Sequence, residues 1–362
     1  MTGTPARQDG TRPAPPGRST TTLPKAHLHL HFTGSMRPAT LLELADRHGV
    51  RLPAALRSQE MVNLSPDERG WFRFQRLYDA ARNCVRTAED MQRLVLEAAA
   101  DDAAEGSRWL ELQVDPTSYA VHVGGITPAL EIVLDAARTA SAVTGAEVAV
   151  VVAASRIRHP LDARALARLA ARYAGSGPGT VVGFGLSNDE RRGSTADFAP
   201  AFAIARRAGL ASLPHSGELL GPDHVRETLR ALHPDRLGHG VRSGEDPALL
   251  AELVAAGVAL EVCPASNVSL GVYPSMADVP LRRLVAAGAQ VALGADDPLL
   301  FGPRLAAQYR SAREDHGFDD AALAALARGS ISASRAPEAT KRRLLAEVDD
   351  WLARPGEGAQ GR

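Results

Sequence analysis

The chain has 362 residues, 45% of them hydrophobic, enough to bury a large core either as two domains or as one α/β barrel of about 250 residues with insertions. Lys and Arg number 41 against 42 Asp and Glu, a net charge of -1 that argues against nucleic acid or an anionic membrane surface as partner and favours a small, weakly charged ligand. The two cysteines, Cys84 and Cys263, stand far apart in no metal-type spacing, which argues against a disulfide framework or a cysteine-based zinc site and points to a reducing, cytoplasmic compartment.

In chain order, residues 1–22 carry basic residues but no apolar core of a signal peptide, and read as a disordered extension. No run of about 18 apolar residues follows anywhere, so no membrane span is expected. The first predicted strand, Ala26–His31, alternates His27, His29 and His31 with apolar residues, which turns the three imidazoles to one face. The stretch from Pro38 to about Glu89 holds more than one helical segment and reads as an elaboration after that strand. Further strands are expected at Trp109–Val114, Glu147–Ala153, Thr180–Leu186, Ala211–His215, Arg236–His239, Ala259–Cys263 and Gln290–Gly294. Between them lie helical patterns such as "PALEIVLDAARTASAVTG" and "DPALLAELVAAG", several closed by a glycine. Eight strand–helix alternations predict a (β/α)8 TIM barrel over residues 23–347, with a helical insertion after the first strand and a tail over 348–362. A doubly wound open sheet is the alternative, but no glycine-rich dinucleotide loop follows the first strand.

A barrel gathers its chemistry at the C-terminal ends of its strands. There the sequence places His29 and His31, then "PHSGE" from His215 to Glu218, then His239 in "LGHG", then Asp296 and Asp297 in "GADDP". Three imidazoles and a carboxylate from strands one, five and eight form a closed set around the barrel mouth. Nitrogen and oxygen donors of this kind suit Zn²⁺ with one position left for water, whose pKa the ion lowers towards neutrality. Glu218 then reads as a proton shuttle, His239 as a base or electrostatic orienter of the water, and Asp297 as a hydrogen-bond partner for substrate.

The segments "PKAHLHLHFTGSMRP", "PHSGE", "DRLGHG", "EVCPASN" and "LGADDPLLFG" resemble, in order and spacing, the motifs of the adenosine deaminase family of metal-dependent amidohydrolases, from about Leu23 to about Leu345. The resemblance implies one Zn²⁺ per subunit held by His29, His31, His215 and Asp296, with His31 also beside the substrate. It implies that Glu218 handles the proton at purine N1, that His239 stands beside the attacking hydroxide, and that Asp297 faces N7. The implied reaction is hydrolytic deamination of a 6-aminopurine nucleoside to the 6-oxo product and ammonia. The H-x-E and P-C-x-x-C ligand set of cytidine-type zinc deaminases is absent.

Departures from the family pattern bear on the substrate. The family's acid before glycine, which meets the ribose 5'-hydroxyl in adenosine-specific members, is Thr33 in "FTG". In "GFGLSNDE", Gly185 replaces an aspartate, and Asn188 replaces the glycine whose backbone N–H meets purine N3. His27 stands where glutamate is more common and is expected to be structural or to support the ligands. The lost carboxylate suggests a nucleoside modified at its 5' end, such as aminodeoxyfutalosine, whose carboxylate Arg37, Arg73 or Arg76 would meet. The segment "WFRFQRLYDAARN" resembles the family's lid region and brings Trp71, Phe72, Phe74 and Tyr78 together. Adenosine and free adenine stay open as substrates, as does a catalytically silent nucleoside-binding barrel. An amide-cleaving relative with a bridging carboxylated lysine is disfavoured, since no lysine ends strand four.

Overall fold

The computed structural model describes residues 17–60 and 62–354. Eight short strands form where apolar β-branched runs stop at polar or glycine-rich loops: Lys25–His31 (β1), Ser107–Val114 (β2), Glu147–Ser155 (β3), Val181–Ser187 (β4), Ala211–Ser216 (β5), Arg236–His239 (β6), Ala259–Val262 (β7) and Val291–Leu293 (β8). Each pairs in parallel with the next in chain order. The end of β8 closes onto β1, where the Asp296 N–H donates to the His29 carbonyl at 3.0 Å and the His31 N–H to the Asp296 carbonyl at 3.1 Å. The (β/α)8 barrel expected from the alternation is therefore present, with strand boundaries within two residues of those expected. The strands are buried along nearly their whole length, as parallel strands covered by helices must be.

The insertion after β1 comprises helices Pro38–Arg47 (α1), Ala54–Ser58 (α2) and Glu68–Arg82 (α3), ahead of the crossover helix Ala88–Ala104 (α4). A capping box at Thr87 and Asp90 starts α4. Many later helices, such as Pro160–Arg172, Pro222–Leu232 and Pro247–Ala256, begin on proline, whose missing N–H costs nothing in a first turn. No helix of the described residues is long and apolar enough to cross a membrane.

The two ends of the chain depart from expectation. Within the expected 1–22 extension, residues 17–22 are packed: Arg18 bonds Asp320, and the Lys25 ammonium donates to the carbonyls of Thr20, Leu23 and Glu105 at 2.6–2.8 Å. The last helix, Glu338–Ala353, runs beyond residue 347 into the expected tail because Trp351 is buried and its Nε1 donates to Thr22 Oγ1 at 3.1 Å. Residues 1–16 and 355–362 lie outside the described residues.

Inside the barrel, beneath the strand ends, the fully buried Arg236 guanidinium bridges Glu111 at 2.5 Å and Glu261 at 2.6 Å. Burial disfavours charge on Glu261, but Arg236 and His29 beside it prevail and hold its carboxyl down at about 2. Arg236→Met leaves two buried carboxylates without their cation and is expected to cost about 3–5 kcal/mol of stability. Urea unfolding at neutral pH reads this directly, and a change below about 1 kcal/mol would mean that the interior hydrates the carboxylates.

Candidate active site

Four donors converge at the C-terminal mouth. His29 and His31 leave the end of β1 on the same face, His215 leaves β5, and Asp296 follows β8. Asp296 Oδ1 lies 3.4 Å from His29 Nε2 and 3.1 Å from His31 Nε2, and His31 Nε2 lies 3.3 Å from His215 Nε2. His29 Nδ1 faces Glu261 Oε2 at 2.7 Å, so a proton belongs there, and Nε2 points into the cluster towards Asp296. Imidazole and carboxylate donors facing one another this closely invite a positive charge among them, a proton or a metal ion. A tetrahedral ion held at about 2.0–2.1 Å leaves its donor atoms about 3.3 Å apart, which the observed spacings match. The residues thus fit a metal of the zinc type.

The electrostatics agree. Burial alone would lower His29, but hydrogen bonding to Asp296 and Glu261 outweighs it and raises the imidazole to about 10, the mark of a point that draws in positive charge. Burial and the neighbouring histidines hold His215 well below the ordinary range, a neutral lone-pair donor. Asp296 is kept well below the usual carboxylate range: burial opposes this, but its histidine partners prevail. Ser266 Oγ donates to Asp296 Oδ2 at 2.6 Å.

Glu218 and His239 flank this cluster. His239 Nε2 is 3.5 Å from Glu218 Oε1 and 3.8 Å from Asp296 Oδ2. Burial pushes His239 down to about 3, so it is neutral, and Asn267 Nδ2 approaches its Nδ1 at 3.3 Å, which places the ring proton on Nε2. Burial, then the charges of Asp296 and Glu190, raise Glu218 well above the carboxyl range. The loop bearing Glu218 is fixed by Glu190, which accepts the N–H groups of residues 218, 219 and 220 at 3.1, 2.9 and 2.7 Å. Burial and Asp296 likewise raise Asp297, whose Oδ1 is buried without a partner. Gly34 passes so close that a Cβ there would lie 1.8 Å from Asp297 Oδ1, so the residue before Ser35 must be glycine. Asn188, His239 and Asp296 all have positive φ, at 81°, 61° and 61°, backbone strain that gathers at this one mouth.

A cavity of about 950 Å³, open mouth included, runs outward from these groups. His31, Asn188, His215, Glu218, His239, Asp296 and Asp297 line it, as do Trp71, Phe74 and Tyr78 of α3. Thr33 is not among the lining residues: it is buried, with its hydroxyl 2.5 Å from that of Tyr119, and Tyr119 faces the cavity in its place. Arg37 pairs with Asp101, while Arg73 and Arg76 line a separate recess with Pro53 and Leu77, so none of the three meets the cavity. Phe72, also on α3, is exposed. The arginines that do line the cavity are Arg82, tied to Asp79 and Ser118, and Arg158. The sequence reading also missed Gln113 near the end of β2 and Asp115 and Tyr119 after it. They obey the rule that exposed the other site residues, polar groups where an apolar strand stops. Glu261, Ser266 and Asn267 stood in a motif already singled out, "EVCPASN", without roles.

The model of the adenosine deaminase family matches residues 24–351. An Agrobacterium fabrum protein named adenine deaminase is 36% identical over 332 residues, spanning 91% of this chain and 99% of its own. The chain belongs to the adenosine deaminase family. A Streptomyces coelicolor protein named "Putative adenosine/adenine deaminase" is 65% identical over 340 residues, covering 92% of this chain and 98% of that one. Among solved structures, adenine deaminase from Arthrobacter aurescens superposes with a TM-score of 0.83 at 30% identity, covering 92% of this chain and all of that one. Arabidopsis N6-mAMP deaminase superposes at 0.80 with 26% identity, covering 91% and 99%. This adenosine deaminase family member is a hydrolytic deaminase of the adenosine/adenine type, acting on C–N bonds. Deaminases of the family are metal-dependent, and the His/Asp cluster is its candidate metal site.

Proposed function

We propose that the protein is a zinc-dependent deaminase of 6-aminopurine nucleosides, with His29, His31, His215 and Asp296 as the ligands of one Zn²⁺. The observation that carries this reading is a protonated, buried Glu218 beside a neutral His239 at the edge of a four-donor cluster, all facing one cavity. When bound, the ion supplies the Lewis acidity that lets water act as a nucleophile near neutral pH. Glu218 gives its proton to purine N1, which makes C6 electrophilic. Asp297, also protonated, donates to the N7 lone pair and orients the ring. His239 donates from Nε2 to the oxygen of the incoming water, the orienting role and not that of a base. As the oxygen bonds to C6 and the C6–N bond breaks, one water proton leaves with ammonia and the other restores Glu218. The product keeps the proton Glu218 placed on N1.

The cavity supports a nucleoside over a free base, because its lining continues outward from the donor cluster and Glu218 to Asp115, Ser118 and Arg158. Adenine is the second reading, favoured by the burial of Thr33 against Tyr119, which leaves no ribose-binding group at that position. With Arg37, Arg73 and Arg76 turned elsewhere, the argument for a carboxylate-bearing 5' extension passes to Arg82 and Arg158 alone. Steady-state comparison of adenosine, adenine and aminodeoxyfutalosine is expected to give a kcat/KM for a nucleoside at least about 10-fold above that for adenine, the differential transition-state binding of a filled outer cavity. A preference for adenine by the same margin would select the second reading.

A further inference from the structure

His27, unassigned by the chemistry above, is buried behind the metal cluster between β1, α4 and the end of β8. Its Nδ1 lies 3.0 Å from both carboxylate oxygens of Asp102 on α4, which places the ring proton on Nδ1. Nε2 is therefore an acceptor, and the backbone N–H of Ala295 donates to it at 3.0 Å. Ala295 is the residue before Asp296, where the chain leaves β8 and turns into the left-handed region at φ 61°. On the far side of that turn, the Asp296 N–H and carbonyl are held by the His29 carbonyl and the His31 N–H. The backbone that carries the Asp296 carboxylate is thus gripped at three points, two by β1 backbone and one by the His27 ring.

We propose that Asp102 and His27 form a positioning pair for the metal centre: Asp102 fixes the ring tautomer, and His27 Nε2 holds the Ala295 N–H so that Asp296 reaches the ion in place. The inference rests on the reading of His29, His31, His215 and Asp296 as a zinc site. The other tautomer cannot do this. A proton on Nε2 would point at the His29 carbonyl, 3.1 Å away, and would leave the buried Ala295 N–H without its acceptor. A ring held by a carboxylate on one side is the usual way a protein fixes an imidazole for a metal, but here the ring orients the ligand's backbone and does not bind the ion itself.

Two conservative variants separate the two ends of the ring. His27→Gln keeps an acceptor near the Nε2 position for the Ala295 N–H and gives up the Asp102 contact; His27→Asn keeps a donor towards Asp102 and loses the acceptor. The metal is stripped by dialysis against chelator, and Zn²⁺ affinity is measured by competition with a chromophoric chelator, with no reliance on turnover. His27→Asn is expected to bind Zn²⁺ about 10–100-fold more weakly than wild type, and His27→Gln within about 3-fold of it, the range seen when groups behind metal ligands are altered. Asp102→Asn, which lets the ring take the other tautomer without removing bulk, is expected to follow His27→Asn and serves if that variant does not fold. Equal Zn²⁺ affinity for wild type, His27→Asn and Asp102→Asn, or equal losses in His27→Gln and His27→Asn, would overturn the positioning role and leave only packing. Failure of the wild-type protein itself to bind Zn²⁺ tightly would instead sink the zinc-site reading on which this one stands.

Discussion

Glu218→Gln is expected to lower kcat by about 10²–10⁴-fold while leaving Zn²⁺ bound and the fold unchanged. The amide has nearly the shape of a protonated carboxyl and still donates a hydrogen bond, so substrate would bind with a similar KM. It cannot surrender a proton to purine N1, and C6 then stays a poor electrophile. In the proposed mechanism the wild-type carboxyl does so because burial, with Asp296 and Glu190 beside it, holds its pKa well above the ordinary carboxyl range. The loop anchored by Glu190 holds Glu218 by its backbone, so the substitution leaves those hydrogen bonds in place. Single-turnover loss of the adenine absorbance band, alongside metal analysis of the same sample, makes the check. Turnover within about 5-fold of wild type would refute the proton-shuttle role.

Metal removal is the second large effect. Without the ion, water keeps a pKa far above neutrality, and neither the neutral His239 nor the protonated Glu218 can generate a nucleophile on its own. Chelation is therefore expected to take activity to background, and stoichiometric Zn²⁺ to restore it. Asp296→Ala is expected to be inactive even with added Zn²⁺, since it removes the one anionic donor of the four and exposes the lone pairs of His29 and His31 to each other. Chelator-treated protein that retains full activity would rule out metal-assisted chemistry. The stability of the stripped protein should also rise on adding Zn²⁺, by an amount set by the ratio of free ion to its Kd.

Much of this site was legible because a parallel barrel puts polar side chains at fixed places. His29, His31, His215, Glu218, His239, Asp296 and Asp297 each end an apolar run, and closing the barrel brings them to one mouth. Helix α3 shows where legibility failed. Trp71, Phe74, Gln75, Tyr78 and Arg82 share one helical face and line the cavity, while Arg73 and Arg76 lie on the other. Helical period applied to α3 would have separated them; nearness in the chain to the first strand loop did not. Thr33 failed for another reason. Its position in the motif was right, but the hydroxyl of Tyr119, 86 residues on, claims its side chain.

The sequence by itself determined the fold and the reaction class and pointed to a candidate donor set, because strand period, strand-end polarity and motif order are all local properties that survive without coordinates. Only the tertiary structure decided what each donor leans on. Glu261 behind His29, Asn267 behind His239, Glu190 under the Glu218 loop and the His27–Asp102 pair behind Asp296 are contacts between residues that are mostly far apart in the chain. Protonation state followed from the same source. Asp296 and Asp297 are adjacent and chemically identical, yet histidine partners keep one ionised and burial beside that charge keeps the other protonated. A carboxyl's role depends on the charges within a few ångströms of it, and that neighbourhood exists only once the barrel has closed.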